Sequence, residues 1–397
     1  MARIGIYGGT FNPPHIGHME AARQAAELLR LDKLLLIPDR IAPHKQIPDG
    51  SASPEQRLQM LQIAVAGEAK LQVSDMELRR EGPSYTYQTV LQMKEQHPKD
   101  ELIFIMGTDM FLSFDSWKNP DIILDNASLA VLYRGEKGEA ESVAQKKQQM
   151  ESAGRQIYLV KNQVLPISST DLRRMLVFEC ARSYLPTGVY DYIRDNELYG
   201  CSADRRKLSM KDLEKVVCGL LKPSRINHVL GCRDTAVELA GRWGADENDA
   251  ARAALLHDVT KALPPQLQLT LCEEYGIILD TFSRKNPKTL HALTGSLVAD
   301  RIFGENETVV NAIRHHTTGK ADMNLLEKII YVADYMEPNR YFPGVEKLRS
   351  LAFLNIDEAL KLGLEMTLAL LKEQGREISP ESQEALNWLI RKEYTIC

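Results

Sequence analysis

A chain of 397 residues is too long for one typical domain, and two or three are expected. Apolar residues make up 44% and charged residues 26%, the balance of an ordinary globular protein rather than of a disordered or fibrous one. The net charge of −5 is spread over both halves and neither is basic, which argues against nucleic acid as a bulk electrostatic partner. No window approaches the length of a membrane span and no basic-then-apolar leader opens the chain, so a cytoplasmic location without membrane contact is expected. Six cysteines, at 180, 201, 218, 232, 272 and 397, form no CxxC pair and read as reduced thiols.

The chain opens with the apolar run ARIGIY, followed at once by GGTFNPPHIGHM, Gly8 to Met19. This reads as a buried strand, a glycine turn, and a helix that begins around His15 and His18. Glycines allow close backbone approach to a phosphate, and a helix N-terminus presents free N–H groups and partial positive charge. Histidines three residues apart share one face of the first helical turn. The pattern describes a cradle for a nucleotide triphosphate, although either histidine alone would be read as structural.

Further strands are expected at KLLLIP (Lys33–Pro38), KLQVSD (Lys70–Asp75), ELIFIMG (Glu101–Gly107), LAVLY (Leu129–Tyr133) and QIYLV (Gln156–Val160). Between them MEAARQAAELL, PEQRLQMLQIAV and YTYQTVLQMKEQ carry helical spacing. The alternation predicts an α/β, Rossmann-like, doubly wound parallel sheet with ligands at the C-terminal strand ends. The polar segment RGEKGEAESVAQKKQQM reads as a solvated loop and helix without chemistry.

Near the end of this half stands ISSTDLRRML, Ile167 to Leu176. A hydroxyl-rich turn that opens a helix supplies donors to phosphate, and Arg173 adds a planar cationic fork. Together with the histidine motif it resembles the HxGH nucleotidyltransferase superfamily and its ISSTxxR signature, with Leu172 where isoleucine is usual. The resemblance implies that His15 and His18 stabilise the transition state and hold the triphosphate of ATP. Gly8, Gly9 and Thr10 would form its loop, while Arg173 with Ser168, Ser169 and Thr170 grips the far end. Lys45, in IAPHK, is the matching basic residue on the phosphates, and Mg²⁺ would accompany ATP.

GTDMFLSFDSW (Gly107–Trp117) and SYTY (Ser84–Tyr87) resemble more narrowly the bacterial nicotinate mononucleotide adenylyltransferases. On that resemblance Thr86 helps bind the nicotinate carboxylate, Trp117 stacks on the pyridine ring, and Asp109 lies near ribose or adenylate. Core packing beside Phe111 and Phe114 is the other reading of Trp117, and the amidated nucleotide is the rival acceptor.

From about Ser209 strand-like runs vanish. KDLEKVVCGLL, ENDAARAALLHDV, KTLHALTGSLVADRIF, ETVVNAIRHH and LEKIIYVADYM all have helical period, which predicts an all-α second domain. The expected division is 1–199, a polar linker over 200–209, and 210–397. In the second domain histidines and aspartates are embedded in apolar stripes: His228, His257–Asp258, His291, His315–His316 and Asp334. Inward-facing imidazoles and carboxylates are costly unless their charge is compensated, and a transition metal fits such a set.

The order His…HisAsp…His…His…Asp resembles the HD phosphohydrolase superfamily. RINHVLG, HDVTK, HH and ADYMEPNR resemble its bacterial members that split diadenosine tetraphosphate symmetrically into two ADP. The resemblance implies that His228, His257, Asp258 and Asp334 hold a metal. His291 and His315 would complete a second metal or contact substrate phosphate, Arg225 and Lys261 would contact phosphate, and His316 would orient a neighbour. Iron is the first choice of ion, with another divalent transition metal such as manganese or cobalt in its place.

The expectation is therefore a fusion. One domain transfers AMP from ATP to nicotinate mononucleotide, and the other, an HD-domain bundle, hydrolyses diadenosine tetraphosphate. A nucleotide-sensing role, or another phosphate ester as substrate, is the alternative for the second half. A homo-oligomer is compatible with the sequence.

Overall fold

The computed structural model describes all residues except 44–46, 49, 134–137, 164, 166 and 397, and the backbone alone of 393–396. The chain divides into two compact units, Met1–Ala203 and Asp204–Cys397. The division falls inside the polar stretch 200–209, yet within that stretch Cys201 and Arg205 are buried. No helix among the described residues is long and apolar enough to cross a membrane.

The first unit alternates β1 (Arg3–Gly9), α1 (Ile16–Leu28), β2 (Lys33–Pro38), α2 (Pro54–Ala64), β3 (Leu71–Val73), α3 (Thr86–Gln96) and β4 (Glu101–Gly107). It continues through α4 (Thr108–Leu112), α5 (Pro120–Asn126), β5 (Ser128–Tyr133), α6 (Glu139–Ser152), β6 (Ile157–Lys161), α7 (Ser169–Val177) and α8 (Val189–Asp195). All six strands are parallel, in the order β3-β2-β1-β4-β5-β6. This is the doubly wound α/β sheet expected from the sequence.

Strands covered on both faces must be apolar throughout, and Leu34–Ile37 and Leu102–Met106 are all buried. Ile4, Ile6, Phe104, Met106, Leu129 and Val131 share one core with Val90 of α3, Ile123 of α5 and Val143 of α6. A Cβ at Gly5 would come within 2.5 Å of Leu31 Cδ1, so this glycine is what lets the turn into β2 lie against β1. The winding reverses between β1 and β4. Ligands bind where strand order reverses, at the C-terminal ends, and the segments that leave β1 and β4 there are the histidine motif and Gly107–Trp117.

The second unit is helical: α9 (Met210–Leu220), α10 (Pro223–Trp243), α11 (Glu247–Leu256), α12 (Pro265–Glu274), α13 (Thr281–Lys285) and α14 (Leu290–Arg301). After these come α15 (Glu307–His315), α16 (Leu325–Met336), α17 (Val345–Ala352), α18 (Ile356–Glu373) and α19 (Pro380–Ile396). Asp246 caps α11, Asn306 caps α15 and Asn324 caps α16, each accepting a backbone N–H. α11 packs against α10 through a face of buried alanines, Ala250, Ala251, Ala253 and Ala254. Gly295 of α14 would place a Cβ 3.3 Å from the His257 carbonyl oxygen, so α14 also needs a small residue where it meets the end of α11.

Candidate active site and metal centre

In the first unit the loop after β1 is pinned from below. Thr10 donates its hydroxyl to Asp39 Oδ2 at 2.7 Å. Arg57 of α2, fully buried, donates to the Thr10 carbonyl at 2.6 Å, to Asp39 Oδ1 at 3.0 Å and to the Asp39 carbonyl at 2.8 Å. Gly8 and Gly9 end β1 in register with Ile37 and Pro38.

His15 is the residue before α1, and its backbone N–H donates to His18 Nδ1 at 3.3 Å. The two imidazoles stack with centroids 3.6 Å apart, while the Phe11 ring meets His18 edge-on at 5.1 Å. A Cβ at Gly17 would sit 3.0 Å from His15 Nδ1 and 3.3 Å from Ile167 Cγ2. The glycine between the two histidines thus lets the His15 ring fold against its own helix.

The second signature closes on the first. Arg173 donates to the Asn12 carbonyl at 2.7 Å and to Thr170 Oγ1 at 3.0 Å. Ser169 donates its hydroxyl to the Pro13 carbonyl at 3.0 Å. Ser168 caps α7 by accepting from the Asp171 N–H at 3.1 Å. Burial draws the Arg173 guanidinium below its ordinary value, so an anion that met it there would be strongly held. Two segments more than 150 residues apart therefore share one mouth, with His15, His18, Arg173 and the hydroxyls of α7 around it.

Of the residues assigned to the acceptor, Thr86 opens α3 and is half-buried, and Asp109 is exposed in the first turn of α4. Trp117 is half-buried, with its ring 5.3 Å from Phe114 and 6.0 Å from Phe104. Its neighbour Lys118 lies over the Tyr85 ring at 4.3 Å, which ties the Trp117 segment to the start of α3. Lys45 lies outside the described residues.

Sequence reasoning missed Arg57, Asp39 and Tyr199 in this unit. Tyr199, the residue before the expected linker, is buried and donates its hydroxyl to Asn12 Oδ1 at 2.7 Å. No local signal marks these residues, since an arginine in PEQRLQM has the spacing of a surface position.

In the second unit five helices bring polar side chains together. His228 of α10, His257 and Asp258 at the end of α11, His291 of α14, His316 just past α15 and Asp334 of α16 are all buried. His228 Nε2 lies 3.0 Å from Asp334 Oδ1 and 3.4 Å from His257 Nε2. Asp258 turns its two oxygens to different partners. Oδ2 is 3.4 Å from His257 Nε2 and 3.8 Å from His228 Nε2, whereas Oδ1 is 3.3 Å from His291 Nε2 and 3.7 Å from His316 Nε2.

The tautomers follow from the other ring nitrogen. Nδ1 of His257, His291 and His316 each meets a backbone carbonyl, of Ala254, Lys288 and Ile313, at 2.6, 2.7 and 2.7 Å. A carbonyl only accepts, so Nδ1 carries the proton and a neutral ring aims the Nε2 lone pair inward. His228 Nδ1 is held in the same way by the Glu337 carboxylate at 3.0 Å. Glu337, 1% exposed, is itself fixed by two donors of Asn339, and a Cβ at Gly231 would fall 2.5 Å from its Oε2.

These residues fit a cation. His291 Nε2 and His316 Nε2 are buried without a hydrogen bond, a costly arrangement unless a positive ion shares their lone pairs. His228, His257 and Asp334 form one ligand group, and His257, Asp258 and His316 form a second. Burial alone would raise the two carboxyls, but the imidazoles facing them outweigh it and hold both well below the usual range. Burial likewise lowers His257, but the two carboxylates reverse that and raise it, whereas burial takes His316 down to about 4. Arg225 reaches Asp258 Oδ2 at 2.5 Å, Lys261 reaches Oδ1 at 3.1 Å and Arg340 reaches Asp334 Oδ1 at 2.7 Å.

His315 is expected at a second metal or on substrate phosphate, with His316 orienting a neighbour; in the structure it is His316 that faces Asp258, at 3.7 Å. α15 ends at His315, so helical phase no longer decides which of the two adjacent histidines turns inward. His315 is half-buried, and burial with Lys320 and Arg314 lowers it to about 4. Glu337 and Arg340, although inside the quoted ADYMEPNR motif, were not singled out.

Comparison with known proteins follows the same division. The cytidylyltransferase-like family matches residues 6–175 and the HD domain residues 225–339. A protein of Borreliella burgdorferi described as a "probable nicotinate-nucleotide adenylyltransferase" is 37% identical over 198 residues, which is 50% of this chain and 96% of that protein. The symmetrical bis(5'-nucleosyl)-tetraphosphatase of Bacillus subtilis is 37% identical over 171 residues, 43% of this chain and 91% of that protein. A crystal structure from Clostridium acetobutylicum, described as a "predicted HD superfamily hydrolase involved in NAD metabolism", has 38% identity and a TM-score of 0.46, and covers 47% of this chain and 98% of that one. The chain thus belongs to the nicotinate-nucleotide adenylyltransferase family and continues, in the same polypeptide, into an HD domain homologous to the symmetrical bis(5'-nucleosyl)-tetraphosphatases.

Proposed function

We propose that residues 1–199 transfer AMP from ATP to nicotinate mononucleotide, giving deamido-NAD and pyrophosphate, and that residues 210–397, beyond the joining stretch 200–209, hydrolyse diadenosine tetraphosphate to two ADP. The fusion would act in the cytoplasm, on soluble nucleotides.

For the first activity the observation that carries the reading is the closure of Arg173 and Ser169 on the Asn12–Pro13 backbone. It sets a cationic fork and the α7 hydroxyls beside the stacked His15 and His18. A phosphate oxygen of the acceptor attacks the α-phosphorus, the bond from that phosphorus to the bridging oxygen breaks, and pyrophosphate leaves with the electron pair. Little covalent work falls to the protein. It must hold reactants in line and meet the growing charge with fixed donors, each such donor being worth roughly 10²–10³ in rate. ATP would bring Mg²⁺ with it. Thr86 and Trp117 would seat the flat anionic ring, Asp109 the sugar, and Lys45 the phosphates.

For the second activity the carrying observation is Asp258, whose two oxygens face two separate sets of imidazoles. That arrangement supports binding of two ions that share one carboxylate, with His228, His257 and Asp334 on one and His291 and His316 toward the other. Bound ions, iron or another divalent transition metal, would lower the pKa of a water and polarise the phosphoryl oxygen. Arg225 and Lys261 rest on Asp258 and would pass to the phosphate chain of the substrate.

The test is made on the full chain. Pyrophosphate release from ATP that requires nicotinate mononucleotide supports the first activity. ADP release from diadenosine tetraphosphate with iron or manganese, abolished by chelator, supports the second. Bound metal without ADP release would send the second site to another phosphate ester, and absence of bound metal would favour a nucleotide-sensing module.

A further inference from the structure

A helix leaves its last carbonyls without partners inside it, and groups outside the helix must meet them. α16 ends at Met336, just beyond Asp334, and the chain turns at once through Glu337 to Arg340. Arg349 of α17 bonds to the backbone of this turn. Its Nε donates to the Met336 carbonyl at 2.8 Å, and its Nη2 donates to the carbonyls of Glu337 and Arg340, each at 2.9 Å. Its Nη1 pairs with Glu346, one turn earlier on α17, so the guanidinium is itself held in place.

The side chains of the same turn reach two ligands on different helices. Glu337 accepts the Nδ1–H of His228 on α10 at 3.0 Å, and Asn339 fastens that carboxylate with its backbone N–H at 2.7 Å and its amide at 2.8 Å. Arg340 donates to the Asp334 carbonyl at 2.9 Å and to Asp334 Oδ1 at 2.7 Å. His228 and Asp334 belong to the same ligand group. A planar fork bonded to three carbonyls fixes the path of the backbone between them, which a single-point donor does not. We propose that Arg349 is a positioning residue of the metal centre, setting the aim of His228 and Asp334 together through the 336–340 turn. This rests on the reading of the centre as a metal site and extends it to a residue that touches neither ligand.

The experiment measures the manganese affinity of the full chain by chelator competition, with helical circular dichroism and thermal unfolding in parallel. Arg349→Met is expected to weaken binding about tenfold, as loss of a group that supports a metal-bound histidine does. Arg349→Lys keeps the charge beside Glu346 but not the fork. It should weaken binding about threefold, and it is the readout should Arg349→Met fail to fold. Combined with Glu337→Gln, Arg349→Met should cost less than the product of the two single losses, because both act on His228. Arg242→Met is the control, since Arg242 of α10 anchors the far end of α17 by donating to the Phe353 carbonyl at 3.0 Å. It should lower the unfolding temperature and leave the affinity within about twofold. Unchanged affinity in the folded Arg349 variants, an equal loss in Arg242→Met, or fully multiplicative losses in the double variant overturns the proposal. Failure of the metal reading would look different, because the unmodified chain would then bind no manganese.

Discussion

Arg57 and Asp39 form a buried ion pair, with NH1 to Oδ1 at 3.0 Å, directly beneath the loop that carries the histidine motif. The same guanidinium holds the Thr10 carbonyl, and the other carboxylate oxygen takes the Thr10 hydroxyl. Removing one partner of a buried pair leaves an uncompensated charge, at a cost of about 3–5 kcal/mol. Arg57→Ala should destabilise the first unit by that amount. Trp117 is the tryptophan of this unit, so its fluorescence in a chain with Trp243 and Trp388 replaced by phenylalanine reports the transition. Arg57→Lys retains charge but not the planar fork. It should cost less stability and still slow adenylyl transfer at least tenfold, because Thr10 loses its anchor. Normal turnover in a folded Arg57→Lys chain would show that the anchor has no part in catalysis.

His18 and Trp117 are expected to fail in different ways. A donor that acts on charge developed only in the transition state lowers kcat, whereas a group that seats the acceptor lowers its binding. His18→Ala should therefore cut kcat by roughly 10²–10³ with the KM for the acceptor little changed. Trp117→Ala should raise the acceptor KM at least tenfold and leave the KM for ATP near its original value. Trp117 also packs on Phe114 and Phe104, so its thermal unfolding must be compared in parallel. Equal effects of the two substitutions on kcat would contradict the division of labour.

Glu337 belongs to neither ligand group, yet it fixes the tautomer and the angle of His228. Carboxylates that support a metal-bound histidine typically change affinity by 10–100-fold when lost. Glu337→Gln keeps the size and the Asn339 contacts but offers the His228 Nδ1–H a weaker acceptor. Manganese affinity measured by chelator competition should fall within that range while the helical circular dichroism is unchanged. Unaltered affinity would assign Glu337 to packing alone.

The parts legible in the sequence were those where a single local rule decides. β2 and β4 occupy the residues expected of them, since an apolar run bounded by lysine and proline, or by glutamate and glycine, has no competing reading once both faces are buried. The histidine motif and the hydroxyl turn of α7 were legible as motifs, but their contact was not, because the Asn12–Arg173 bond is a product of sheet closure rather than of spacing. Arg57 was hidden because periodicity records where a side chain is apolar, and a buried arginine paired with Asp39 breaks that code. Tyr199 was hidden by polar neighbours, and Glu337 by the proline and asparagine that follow it, which read as an exposed helix end. The two adjacent histidines at the end of α15 could not be separated, since the helix ends between them and phase is lost.

That separation has its own consequence for pH. Burial, with Lys320 and Arg314 nearby, lowers His315 to about 4, against about 6.5 in an unfolded chain. Between those values the unfolded chain binds a proton that the folded chain does not. Stability is therefore lost as pH falls through 6.5, and the loss levels off below about 4. At 1.36 kcal/mol per pH unit the full effect is about 3 kcal/mol, and roughly half of that after discounting for the partial exposure of the ring. His315→Gln has no such proton to bind. Its urea midpoint, relative to the unmodified chain, should rise steadily from pH 7 to pH 4.5, while the metal ligands titrate alike in both and cancel. His315→Gln should also keep its metal, whereas His316→Gln should lose part of it, because only His316 meets Asp258. A constant midpoint difference across that range, or loss of metal from His315→Gln, would restore His315 to the centre and reverse the assignment of the pair.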